Sequence, residues 1–329
     1  MTYPLLMIVL TVAVSAAFGV SLLTGPSDIG LAELMSSLGS AGADSTALIL
    51  EEIRLPRAIL GLAIGASLGL SGAALQGYLR NPLAEPGIIG ISATAALGAV
   101  IAIYTGLSLA YPLALPILAI AGSVLAVLVL QLLVGPGGAL SLILAGVALS
   151  SLAGALTSLA LNLSPNPFAA LEIIFWMLGS IADRSMDHVH LAVPFMAAGW
   201  VVLMTTARSL DVLSLGEETA GGLGVDLSRT RLLVVTGTAI SVGAATAVSG
   251  VIGFVGLIVP HLLRPLVGHR PSRLLPASAL GGALLLLLSD IGVRLLTPGT
   301  ELKLGVLTAL VGAPFFLSLI LRHRSTYGL

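Results

Sequence analysis

Between Glu85 and Glu172 the chain runs for 86 residues, Pro86 to Leu171, without one Asp, Glu, Lys or Arg. A helix needs about 20 apolar residues to cross roughly 30 Å of hydrocarbon. The run is therefore too long for one membrane helix and about right for three. Breakers divide it at Thr105 to Pro112, at Gly135-Pro136-Gly137-Gly138 and at Asn162 to Pro167. The rest of the chain agrees: 57% of the 329 residues are hydrophobic and only 9% are charged. A soluble chain carries about one-quarter charged residues, and this much apolar surface would aggregate in water. An integral membrane protein follows. The net charge of −1 offers no basic face to nucleic acid. With no cysteine there are no disulfides and no thiolate metal site.

Seven further apolar segments bring the spans to ten: Pro4 to Leu23, Arg57 to Arg80, Val189 to Ala207, Leu232 to Ser249, Val251 to Val267, Leu274 to Ser289 and Leu304 to Leu321. The segment from Val251 is short and glycine-rich, so it fits a short or re-entrant helix. Met1-Thr2-Tyr3 lacks the positive start of a signal peptide, and the first span reads as a retained helix. The expected fold is all-α: one polytopic helix bundle over 1–329, with a cytoplasmic segment at about 211–226. Ten spans put both ends on one side. With the ends inside, nine cations are inside (Arg80, Arg208, Arg229, Arg231, Arg264, Arg270, Arg273, Arg322, Arg324) and five outside (Arg54, Arg57, Arg184, Arg294, Lys303). The excess of positive residues belongs in the cytoplasm, so both termini are placed there.

Energy must come from elsewhere. A P-loop needs a glycine-rich turn followed by Lys, and the only lysine, Lys303, stands in Glu301-Leu302-Lys303-Leu304. Ion-coupled carriers keep acids or exposed carbonyls near midplane. Only Asp290 and Arg294 fall within an apolar stretch, one helical turn apart and able to pair. His188, His190, His261, His269 and His323 are scattered, and no nucleophile–base pair or metal motif is evident. An ion-coupled secondary transporter and an intramembrane enzyme are thus the weaker readings. Gly61, Gly65, Gly69 and Gly72 line one face of the second span, where helix backbones can approach closely. RAILGLAIGASLG from Arg57 is loosely echoed by RLLVVTGTAISVG from Arg231, on the opposite side of the membrane.

Four stretches carry more: Arg54-Leu55-Pro56-Arg57; QGYLRNPLAEPG from Gln76; LGEETAGGLGV from Leu215; and GVIGFVGLIVPHLLR from Gly250, echoed by GVLTALVGAP from Gly305. In this order they resemble the permease subunits of ATP-binding-cassette importers for iron-siderophores, haem and cobalamin, the FecCD-like type II importers. The resemblance covers residues 50 to 322.

It implies a multi-pass permease of the bacterial inner membrane, not itself an enzyme, carrying a metal chelate from periplasm to cytoplasm. It implies a second permease copy, two cytoplasmic ATP-binding subunits that hold ATP and Mg, and a periplasmic substrate-binding protein. No cofactor is expected in this chain. Leu215, Gly216, Glu217, Glu218, Gly221, Gly222, Leu223 and Gly224 would couple to the ATPase, as a short helix with a glycine turn. Arg54, Arg57 and Arg294 would meet acidic patches of the binding protein; for the first two, pairing with Glu51 and Glu52 or with lipid headgroups is the plainer alternative. Asn81, Pro82 and Leu83 would help close the pathway inside, with Ala139 and Leu140 at the second constriction, where some relatives carry small hydroxyl residues. His261 reads as a packing residue rather than a haem ligand.

Overall fold

The computed structural model describes residues 2–25, 45–111, 113–135, 138–164, 166–297 and 302–326. Of the residues named above, Met1, Pro112, Pro136, Gly137 and Glu301 lie outside these ranges, and so do the side chains of Leu321, Arg322, His323 and Arg324.

Helices in chain order are α1 (Tyr3–Leu23), α2 (Leu55–Tyr78), α3 (Ile91–Tyr104), α4 (Ala114–Val134), α5 (Ala139–Asn162), α6 (Pro167–Met177), α7 (Met186–Thr205), α8 (Ala207–Leu213), α9 (Glu217–Gly222), α10 (Leu227–Ser249), α11 (Val255–Leu263), α12 (Pro271–Leu296) and α13 (Leu304–Thr326). Seven are long and apolar enough to cross a membrane, and α3, α6 and α13 are shorter apolar helices over their described residues. The ten sequence spans correspond to α1 to α5, α7 and α10 to α13, while α6 is an extra short helix that the sequence reading left between two spans. Its start is set by Asn166, whose Oδ1 accepts from the Ala169 N–H at 2.8 Å, and by Pro167 in the first turn.

The span expected over Val251 to Val267 is broken. Residues 250–254 are not helical, and α11 holds nine residues. At 1.5 Å per residue it rises about 14 Å, half the hydrocarbon thickness. Glycines at 250 and 253 and the left-handed Phe254 (φ +68°) explain why the helix starts late.

The core is built around α2, which packs against α12 on one side and α10 on another. Small residues let these backbones touch. A Cβ on Gly69 would stand 2.9 Å from the Ser278 carbonyl carbon, and one on Gly65 2.8 Å from Ala283 Cα. Of the glycine face read from the sequence, Gly61, Gly65 and Gly69 thus form the seam of α2 on α12, while Gly72 meets Gly256 of α11. Ser71 and Ser241 share a hydrogen bond of 3.1 Å where α2 crosses α10, and Trp200 Nε1 of α7 donates to Ser67 Oγ at 2.8 Å. Such bonds satisfy polar groups that lipid cannot.

Candidate functional site

At the outer end, α1, α2 and α12 meet around one carboxylate. Asp290 is 1% exposed. Arg57 reaches it with Nε (2.9 Å) and Nη2 (2.8 Å). Arg294, one turn further along α12, reaches the other oxygen at 2.6 Å. Arg294 also donates to the carbonyls of Ser21 (2.9 Å) and Thr24 (2.7 Å) at the end of α1. Arg54 donates to the carbonyls of Leu22 (2.8 Å) and Leu23 (2.9 Å). Those carbonyls have no partner within α1, and a cation there also suits the negative end of the helix dipole. The three arginines singled out in the sequence therefore converge on one corner, and each is engaged within the chain. Asp290 does pair with Arg294, as its spacing foretold, but Arg57 shares the carboxylate.

Inside, α8 and α9 form a hairpin between α7 and α10. Leu210, Leu213 and Ala220 are buried and hold it to the bundle. Asp211 Oδ1 accepts from the Ser272 N–H at 2.7 Å and so fastens it to the start of α12. The predicted coupling residues are on its outer surface: Leu215 and Leu223 are exposed, as are Glu217, Glu218, Gly221, Gly222 and Gly224. Gly216 (φ +114°) and Gly224 (φ +86°) supply the left-handed turns on either side of α9.

Asn81, Pro82 and Leu83 follow the inner end of α2. Asn81 Oδ1 accepts from the Leu83 N–H at 2.9 Å, a turn that fixes the chain reversal. Ala139 and Leu140 open α5, with Leu140 69% exposed.

Sequence reading missed a polar relay behind this turn. Gln76 Nε2 donates to the carbonyls of Gly256 (3.3 Å) and Leu257 (3.4 Å), and its Oε1 accepts from Arg264. Glu85, placed by the sequence in the inside loop, reaches the Phe254 N–H at 3.2 Å, at the start of α11. The acids against the apolar core are therefore not limited to Asp290. The glutamine and glutamate stand in QGYLRNPLAEPG; what was missing was their contact with a segment about 170 residues away. Phe254 in turn packs on Gly312 of α13. Beside it lies an apolar cleft of about 610 Å³ between α6, residues 251–254 and α13, walled by small residues such as Gly253, Gly305, Ala309 and Ala313. His261 packs edge-on against Phe315, ring centroids 5.9 Å apart, in keeping with a packing residue.

A bundle with seven helices long and apolar enough to cross a membrane, among the described residues, defines a multi-pass membrane protein. More particularly, the chain belongs to the FecCD transport family, whose model matches residues 10–322. It is 40% identical over 276 residues to the Fe(3+) dicitrate transport system permease protein FecD of Escherichia coli K12, covering 84% of this chain and 86% of the relative. The hemin transport system permease protein HmuU of Yersinia pestis is 39% identical over 283 residues, covering 83% of each. The cobalamin import system permease protein BtuC of Halobacterium salinarum is 41% identical over 289 residues, covering 87% and 76%. A solved transporter assigned to the metal-chelate type of ABC transporters, in an inward-facing conformation, superposes with a TM-score of 0.87 at 34% identity over 97% of this chain and 99% of that one. The chain is thus a permease subunit of an ABC importer, and a transport protein rather than an enzyme.

Proposed function

We propose that this chain passes a metal chelate (a ferric siderophore or citrate complex, haem or cobalamin) inward, driven by ATP hydrolysis on separate subunits. Two permease copies, two ATP-binding subunits docked on the α8–α9 hairpins and a binding protein above would form the importer. The observation that carries the reading is the hairpin: buried Leu213 and Ala220 anchor it while Leu215 and Leu223 stay exposed next to Glu217 and Glu218. Exposed leucines on a polar knob fit a protein cleft better than water. The apolar cleft beside Phe254 suits a bulky cargo that must pass without being held. By the family resemblance the corner of Arg54, Arg57 and Arg294 would lie beneath the binding protein, and Asn81–Leu83 with Ala139–Leu140 would narrow the inner exit.

The test is uptake into liposomes carrying the permease, its ATPase and the binding protein, with ferric chelates, haem and cobalamin offered in turn. ATP-dependent accumulation of one class supports the reading. Accumulation driven by an imposed proton or sodium gradient with no ATPase present would return the ion-coupled carrier.

A further inference from the structure

Residues 79–90, between α2 and α3, form no helix. This strap is gripped on two sides. On one side is α5: a methyl group on Gly146 would stand 2.5 Å from Ile89 Cα, and Ser150 Oγ donates to the Gly87 carbonyl at 3.3 Å. On the other is the start of α11. A methyl group on Gly256 would stand 3.1 Å from Pro86 Cδ, and Glu85 Oε2 accepts from the Phe254 N–H at 3.2 Å. The strap also carries the Asn81–Leu83 turn, which the Ala84 N–H closes on the Asn81 carbonyl at 3.1 Å. One segment therefore joins the inner turn, α5 and, through Phe254, the wall of the apolar cleft.

Phe254 is the unusual residue in this arrangement. A bulky side chain at φ +68° is strained and persists only where its surroundings hold it. Its ring lies against Gly312, where a methyl group would overlap it. Its N–H, at the start of α11, meets Glu85. A carboxylate is a strong acceptor for such a donor and is favoured at the positive end of a helix. We propose that Glu85 is a positioning residue for transport. By its reach to Phe254 it sets the cleft wall, and it ties that wall to the inner turn two residues before it, so that the two move together. The proposal rests on the reading that Asn81–Leu83 narrow the inner exit.

Reach, rather than charge, is what the proposal needs. Glu85→Gln keeps an acceptor oxygen at the same distance, whereas Glu85→Asp keeps the charge and draws it back by one methylene. In the complete reconstituted importer, transport per ATP hydrolysed is measured with whichever of ferric citrate, haem and cobalamin the unsubstituted importer accumulates, and only on complexes that contain the ATPase. Glu85→Asp and Glu85→Ala should each lower this ratio by about 2- to 30-fold, the span expected for a residue that couples two sites, while Glu85→Gln stays within about 2-fold. Phe254→Gly, which removes the ring and takes the positive φ freely, should lower it too, and adding Glu85→Asp should then cost nothing further. An active Asp variant beside an impaired Gln variant would assign the role to charge and overturn the proposal. So would losses that multiply in the double variant, or a lower yield of complex with every ratio unchanged, the marks of a merely structural role. The chain has no cysteine, so Leu83→Cys places a single thiol in the inner turn. Its labelling by a water-soluble maleimide, on the importer in nanodiscs, should change with ATP, and change less when Glu85→Asp is added. No change with ATP in the Leu83→Cys importer removes the exit reading; a change that Glu85→Asp leaves intact removes only the proposal. If none of the three chelates accumulates, the chelate reading falls and the thiol measurement decides the proposal.

Discussion

Two sets of membrane helices differ in what covers them. In the helical run Ala47–Tyr78, which contains α2, 89% of the most apolar window is buried within the chain, and in α10 the share is 78%. In α5, which is equally apolar, it is 22%. Hydropathy alone does not separate them. What does is how the small residues are used: Gly65 and Gly69 of α2 pack on the α12 backbone and Ser71 of α2 bonds Ser241 of α10, while on α5 Gly146 packs on the Ile88–Ile89 backbone but Gly154 has nothing within 4 Å. The first set is a fixed shaft running from the outer ion cluster to the inner hairpin. The second presents its apolar face to lipid, to the pathway or to a second copy.

Substitutions test that contrast. The largest effect should come from Asp290→Asn, which strands Arg57 and Arg294 at the outer end of the shaft. Removing one member of a buried charge cluster costs about 3–5 kcal/mol, so the detergent-solubilised protein should lose its cooperative thermal transition or melt far earlier. Retained melting would mean that the arginines are held by their other contacts. Gly69→Val drives a side chain into the Ser278 backbone; overpacking of this kind costs about 1–3 kcal/mol, and thermal unfolding of the purified variant should show it. Arg54→Gln removes donors from the last carbonyls of α1 and should cost up to about 2 kcal/mol by the same measurement. Gly154→Leu on α5 should change stability by less than about 0.5 kcal/mol. If it instead matches Gly69→Val in the isolated chain, the two sets are not distinct.

Much of this was legible beforehand. The charge-free run and the breakers foretold the helices and their order, because lipid forces every backbone polar group into a helix. The α2 glycine face was visible in its spacing, although its partner, α12, was not. Elsewhere the sequence misled or stayed silent. Val251 to Val267 was counted as a span, though its shortness and glycines already fitted a short or re-entrant helix, which is what α11 is; the left-handed Phe254 and its bond to Glu85, which fix where the helix starts, have no local signature. Arg54, Arg57 and Arg294 were picked for an outside partner, and their bonds to Asp290 and α1 appear only once three helices are assembled.

The contrast itself can be measured directly by hydrogen–deuterium exchange of the assembled importer with and without ATP. The account predicts that exchange at the first turns of α5 and in α9 changes with nucleotide while α2 and α12 stay protected throughout. Equal changes in α2 and α12 would contradict it, because the shaft would then be moving as much as the helices it is meant to carry.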